Sequence, residues 1–350
     1  MSLAISTEKI IILERMIRTA TRIAVVTHVH PDGDAMGSTI ALRSYLKTGW
    51  DKECCIVIPD ACSETLDFLP DADDREHIIC RSENPDAADG WIAGSDLVFC
   101  LDCNGFERTE SIAPALLASN AEKVLIDHHL HPQEEQFALC FSECEISSAS
   151  ELLYRVLMAM PDVHGDCSVL SMHALEALMT GMTTDTNNFA NSVYPGTLEM
   201  ASRLLAAGVD RNAIIERIYN CYRENRLRLI GYLLGKMKIL PQGVAYTVLT
   251  AEEQRRYDIH DGELEGYVNM PLAIGKVKMS IFLKEDGERF RVSIRSKKGT
   301  SANACATRYF NGGGHEQASG GRLYIPGDIA EASKAPEYIE KAIEDFYKNS

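Results

Sequence analysis

Four clusters of carboxylates and imidazoles stand within the first 186 residues of the 350-residue chain: His28-Val29-His30-Pro31-Asp32-Gly33-Asp34, Leu101-Asp102, Asp127-His128-His129 and Thr184-Asp185-Thr186. Each follows an apolar segment, as Asp127 follows Val124-Leu125-Ile126. A charged or polar group at the end of a buried element is costly unless something holds it. Oxygen and imidazole ligands gathered at one point suit a divalent metal ion. Pro31 and Gly33 shape a tight turn that aims the carboxylates of Asp32 and Asp34 at one place. His128 and His129 are adjacent, so one can ligate a metal while the other faces a substrate. Alone, each cluster has a plainer explanation: a solvated turn, a helix-capping aspartate or a surface histidine pair. Together they need a common partner.

A second group lies far downstream. Gly312-Gly313-Gly314-His315 can present successive backbone N–H groups to an anion. Just upstream, Arg289, Arg291, Arg295, Lys297 and Lys298 form a local positive run, and the three arginines share one face if the segment is a strand. Arginine and histidine near a glycine-rich loop favour phosphate recognition. The plainer reading of the arginines is a charged, solvated edge strand.

The elements that must position these residues alternate. Residues 7–20 read as an amphipathic helix, 22–27 as a buried strand, 35–47 as a helix, 53–58 as a strand and 63–69 as a helix. Strands over 96–101 and 123–126 follow, with a helix over 111–118 between them. Such alternation predicts an α/β fold, a doubly wound and mainly parallel sheet with helices on both faces. Ligands of such sheets bind outside the carboxyl ends of the strands, where His28, Asp32, Asp34, Asp102 and Asp127 to His129 all fall. From Ser148 the pattern is helical, over 149–160 and 168–182, with Asp185 just past the second helix. Strands over 244–249, 277–283 and 289–295 then predict a smaller C-terminal α/β domain. The expected organisation is a catalytic domain over 1–190, a helical linker over 191–237 and a substrate-binding domain over 238–350.

Composition narrows the partners. A net charge of −16 is incompatible with a general polyanion-binding surface and argues against long duplex nucleic acid. Apolar residues make up 45% of the chain, yet no run reaches the length of a membrane span, and no signal-peptide pattern opens it. The expectation is a cytoplasmic protein with no membrane partner. Eleven cysteines, scattered and mostly in apolar runs, read as reduced core thiols, including the Cys100–Cys103 pair that straddles Asp102.

These motifs, in this order, resemble the DHH phosphoesterase family over nearly the whole chain. The C-terminal part is similar to its DHH-associated domain, through Ser293-Ile294-Arg295-Ser296, Asn303 and Gly312-Gly313-Gly314-His315. The two-domain size resembles the nanoRNase/pAp phosphatase branch, the bifunctional oligoribonucleases. That resemblance implies two manganese ions, one held by His28 and Asp32, the other by Asp34, His128 and Asp185, with Asp102 between them. It implies His129 facing the substrate phosphate with Asp127 orienting the histidine pair, and Arg295, Ser296, Asn303, Gly312, Gly313, Gly314 and His315 holding the nucleotide. It implies hydrolysis of short oligoribonucleotides, pApA included, and of 3′-phosphoadenosine 5′-phosphate, and leaves a homodimer open. Two departures are His30, where many members carry asparagine, and Asn311, where a glycine is frequent. Other activities compatible with the same motifs are cyclic di-AMP hydrolysis, pyrophosphate or polyphosphate hydrolysis, and a single-strand exonuclease of the RecJ type. A nucleotide-binding sensor without catalysis is the non-enzymatic alternative.

Overall fold

The computed structural model describes residues 5–260, 262–264, 266–314 and 316–348. They form two compact units, one ending at Cys221 and the next beginning at Tyr222.

In the first unit, α1 (Thr7–Thr19) leads into β1 (Arg22–Val26), α2 (Gly33–Trp50), β2 (Glu53–Ile58), α3 (Ala72–His77) and β3 (Ile78–Cys80). Then come α4 (Pro85–Ala93), β4 (Leu97–Leu101), α5 (Ala113–Ala118), β5 (Glu122–Asp127) and β6 (Leu139–Ser142). Four helices close the unit: α6 (Ala149–Ala159), α7 (Met172–Asp185), α8 (Pro195–Ala206) and α9 (Arg211–Tyr219). The six strands are parallel in the order β3-β2-β1-β4-β5-β6. Their near-continuous apolar runs are what burial on both faces demands. Alternation sends Ile23, Val25, Phe99 and Ile126 into one core and Ala24, Val26, Val98 and Leu125 into another on the opposite face. The chain winds outward from β1 in one direction and from β4 in the other, so the crevice for a ligand opens between these two strands.

The α2–α7 crossing sets the site. A Cβ on Gly37 would lie 2.5 Å from Ala177 O and 2.9 Å from Gly181 N, so the two backbones touch where glycine leaves room. This draws the N-terminus of α2, with Asp34, against the C-terminus of α7, with Asp185.

The second unit begins with α10 (Glu224–Lys236), followed by β7 (Lys238–Ile239), β8 (Val244–Leu249), α11 (Ala251–Arg256), β9 (Met279–Asp286) and β10 (Arg289–Ser296). It ends with α12 (Ala302–Tyr309), β11 (Gly313–Gly314), β12 (Ala318–Tyr324) and α13 (Ala335–Lys348). The sheet order is β11-β12-β10-β9-β8-β7, with only β8 and β9 parallel. Helices α12 and α13 cover the face of Ile281, Phe290, Val292 and Ile294, while α10 packs with Tyr267 and Phe282.

Several expectations change. The 191–237 stretch is no separate linker: α8 and α9 pack on α7 in the first unit, and α10 packs on β8 in the second. Residues 63–69 hold only a short 3-10 turn, Glu64–Leu66. Asp185 is the last residue of α7 rather than past it. The arginine-bearing strand β10 is central, not an edge, paired on both sides by β9 and β12. The glycine segment is paired as well, Gly313 with Gly320 and Gly314 with Ser319. The Cys100–Cys103 pair, by contrast, stays in the core as free thiols, both in one cluster, with the chain leaving β4 through a left-handed residue, Asp102, at φ 57°. Among the described residues, no helix is long and apolar enough to cross a membrane.

Candidate metal centre

Each acidic cluster ends an element at the carboxyl side of the sheet, and the fold gathers them. Asp32 caps α2, its Oδ1 accepting from Asp34 N at 2.9 Å and Ala35 N at 3.1 Å. Asp34, fully buried in the first turn of α2, accepts from the first turn of α6: Ala149 N donates to its Oδ2 at 2.6 Å and Ser150 N to its Oδ1 at 2.9 Å. The positive end of α6 thus faces a carboxylate. Asp102 follows β4 at a positive φ that aspartate tolerates, and its carboxylate lies beside His28 and His128.

The histidines converge on Asp102. His28 Nε2 lies 3.3 Å from Asp102 Oδ2 and 3.9 Å from Asp32 Oδ1. Its Nδ1 donates to Val29 O at 2.8 Å, which leaves Nε2 as the ligating nitrogen. His128 Nε2 lies 3.4 Å from Asp102 Oδ1, 3.6 Å from Asp185 Oδ2 and 4.0 Å from Asp34 Oδ2. Asp127, fully buried at the end of β5, accepts from His129 N at 3.0 Å and from its Nδ1 at 2.8 Å. That bond fixes the ring and places the proton on Nδ1.

Among the described residues, three groups of potential ligands meet here: His28 with Asp32 and Asp102, Asp34 with His128 and Asp185, and Asp102 with His128 and His129; a fourth, Asp71 with Asp74 and His173, shares none of these residues. The expected ligands His28, Asp32, Asp34, Asp102, His128 and Asp185 therefore stand in one neighbourhood. The electrostatics fit a cation. Asp102 Oδ1 is buried and makes no hydrogen bond among the described residues. Burial, with Asp102 and Asp185 nearby, pushes Asp34 well above the usual carboxylate range. Burial with Asp102 and Asp32 nearby raises Asp185 to about 7, although His128 opposes it. Asp102 goes the other way: burial works against its charge, but the imidazoles of His128 and His28 outweigh it and hold it well below the usual range. Burial would lower both histidines, yet Asp102 dominates and raises His28 to about 9 and His128 to about 10. Without a metal, the raised affinity of His28, His128, Asp34 and Asp185 for protons offsets the crowded negative charge. Four carboxylates and two imidazoles make an oxygen-rich donor set that suits manganese or a similar ion.

Other expected residues have different settings. His30, at φ 53°, is tied through its N–H and its ring to Asp60, a residue the sequence reading did not single out. Arg295 is half-buried, its Nη1 donating to Ile294 O at 3.0 Å, and burial lowers its pKa. Arg291 and Arg289 both pair with Asp286, which tempers the positive run. Ser296 is buried and donates to Thr300 O at 2.6 Å, fixing the turn after β10. Asn303 braces the glycine segment by donating to Gly314 O. Gly312 and Gly314 are needed for close packing: a Cβ on Gly312 would fall on Gly320 O, and Gly314 has φ 141°. His315 lies outside the described residues.

Sequence reading also missed Glu151, fully buried in α6. Its signal, Ser148-Ala149-Ser150-Glu151, reads as an ordinary helix start. In the fold Glu151 turns back to Ser147 instead.

Comparison with known proteins agrees with this architecture. The model of the DHH family N-terminal domain matches residues 22–182, and that of the DHHA1 domain matches residues 242–344. The chain is 25% identical over 317 residues to the bifunctional oligoribonuclease and PAP phosphatase NrnA of Bacillus subtilis, covering 89% of this chain and 92% of that protein. It is 27% identical over 304 residues to the protein of the same name from Thermus thermophilus, covering 86% of this chain and 84% of the relative. Among solved structures, an exopolyphosphatase-related protein from Bacteroides fragilis superimposes with a TM-score of 0.90 at 35% identity, covering 99% of this chain and 98% of that one.

Proposed function

The chain belongs to the DHH family and carries a DHHA1 domain, and from that premise we propose that it is a manganese-dependent hydrolase of short oligoribonucleotides and of 3′-phosphoadenosine 5′-phosphate. The observation that carries the substrate class is the end-to-end likeness to oligoribonuclease/PAP phosphatases, 89% of this chain against 92% of the Bacillus subtilis relative. The buried acidic cluster supports the metal dependence.

In this reading His28, Asp32 and Asp102 would hold one ion and Asp34, His128 and Asp185 the other, with Asp102 also beside His128 of the second set. When bound, two divalent ions supply a water of lowered pKa and offset charge on the phosphoryl oxygens. The protein's own groups prepare the rest. Val29 O fixes the His28 tautomer, and the two N–H groups at the start of α6 hold Asp34 in orientation. Asp127 accepts from His129 Nδ1, which leaves Nε2 as the nitrogen to face the substrate, where it would donate to a phosphoryl oxygen when the ring carries its second proton. In the second unit, Arg295 and the glycine segment braced by Asn303 hold the nucleotide.

The test is product release from a panel, with and without manganese: 3′-phosphoadenosine 5′-phosphate, pApA, RNA of two to five nucleotides, a long single strand, cyclic di-AMP, pyrophosphate and polyphosphate. Manganese-dependent cleavage confined to the short linear nucleotides is expected. Preference for polyphosphate would favour a second reading, for which the 35% identity to an exopolyphosphatase-related protein speaks. No turnover of any phosphoester would leave only a binding role.

A further inference from the structure

Glu151 is a fully buried carboxylate that the ligand set above does not use. It lies in the first turn of α6. Its Oε2 accepts from Ser147 N at 3.2 Å, Ser147 Oγ at 2.5 Å and Thr197 Oγ1 at 2.7 Å. Its Oε1 accepts from Arg155 Nε at 3.1 Å and Nη2 at 2.5 Å. A charge buried this completely needs partners, and two of these bonds lead to one turn. Ser147 and Ser148 run directly into Ala149 and Ser150, whose N–H groups hold both oxygens of Asp34 at 2.6 and 2.9 Å.

We propose that Glu151 is a positioning residue for the metal centre: through Ser147 it fixes the turn whose N–H groups orient Asp34. The inference rests on the two-ion reading above. Two donors, one per oxygen, leave Asp34 a single orientation toward Asp185 and His128. Releasing the turn frees the carboxylate to rotate. The loss is local, because Asp34 belongs to only one of the two ligand groups that hold an ion, while His28 and Asp32 have no bond to this turn among the described residues. Outer partners of metal ligands carry about 10–100-fold of affinity.

The test is manganese binding to the full chain by calorimetry. Glu151→Gln should weaken one of two binding steps by about 10–100-fold and leave the other as in wild type. Thr197→Val cuts the link from the same carboxylate to α8 but spares Ser147, so it should lower the melting temperature without weakening either step. Ser147→Ala removes one bond to Glu151 and should weaken the same step by a smaller factor. It decides the matter if the glutamine variant does not fold. The proposal is overturned by unchanged binding in Glu151→Gln or Ser147→Ala, by equal weakening of both steps, or by the same loss in Thr197→Val, which would make Glu151 a packing residue. Wild-type protein that binds no manganese would overturn the two-ion reading beneath it, a result distinct from normal wild-type binding with indifferent variants.

Discussion

At the scale of residues, Asp102 is the pivot, since among the described residues it alone pairs with both His28 and His128. Asp102→Ala should reduce turnover on the order of a thousandfold while the circular dichroism spectrum survives. Wild-type turnover in this variant would remove Asp102 from the site. The titrating groups give a second prediction. His28 and His128 rise from 6.5 to about 9 and about 10, so their contribution to folding is fully present below 6.5 and lost as pH climbs through those values. Asp185, raised to about 7, acts in the same direction at lower pH, because the folded carboxyl holds its proton more tightly than the unfolded one. The metal-free melting temperature should therefore fall from pH 6.5 to 10, and manganese should raise it most at the alkaline end, where protons no longer compete. A flat metal-free profile in calorimetry with chelator would contradict this. The motif residues were legible because polar groups at the ends of apolar runs stand out. Glu151 was not, because a glutamate in the first turn of an amphipathic helix usually faces water, and only the fold shows it turned inward.

At the scale of elements, the parallel strands were readable from their runs of apolar residues, and their carboxyl ends foretold where the clusters meet. The short strands β3 and β6 were not, since three or four residues carry too little periodicity. Nor was the close α2–α7 crossing, because glycine within a helix says nothing about which helix approaches it. Gly181 sits where a Cβ would lie 2.8 Å from Asp34 Oδ1 and fall on Ser150 Oγ. Gly181→Ala should cost about 1–3 kcal/mol in urea unfolding and weaken manganese binding with it. An alanine variant with unchanged stability and affinity would show that the crossing has slack. The glycine-rich segment taught the opposite lesson. Its glycines suggested an open anion loop, yet Gly313 and Gly314 pair with β12, and two of the reasons for glycine are steric.

At the scale of the whole molecule, one unit carries the cluster of candidate metal ligands and the other has a sheet that carries Arg295 and the glycine segment. The two units were legible from the change in pattern near residue 238, but the connecting helices were not assignable, because an amphipathic helix does not name the core it packs on. If the second unit holds the nucleotide, Arg295→Ala should raise KM for pApA by about tenfold and leave hydrolysis of a minimal phosphodiester nearly unchanged. Equal effects on both would place Arg295 outside nucleotide recognition. The most direct test of the account is anomalous diffraction at the manganese edge from crystals grown with the metal. Two peaks are predicted, one beside His28 and Asp32 and one beside Asp34, His128 and Asp185, with Asp102 between them. A single peak, or manganese bound away from these residues, would contradict it.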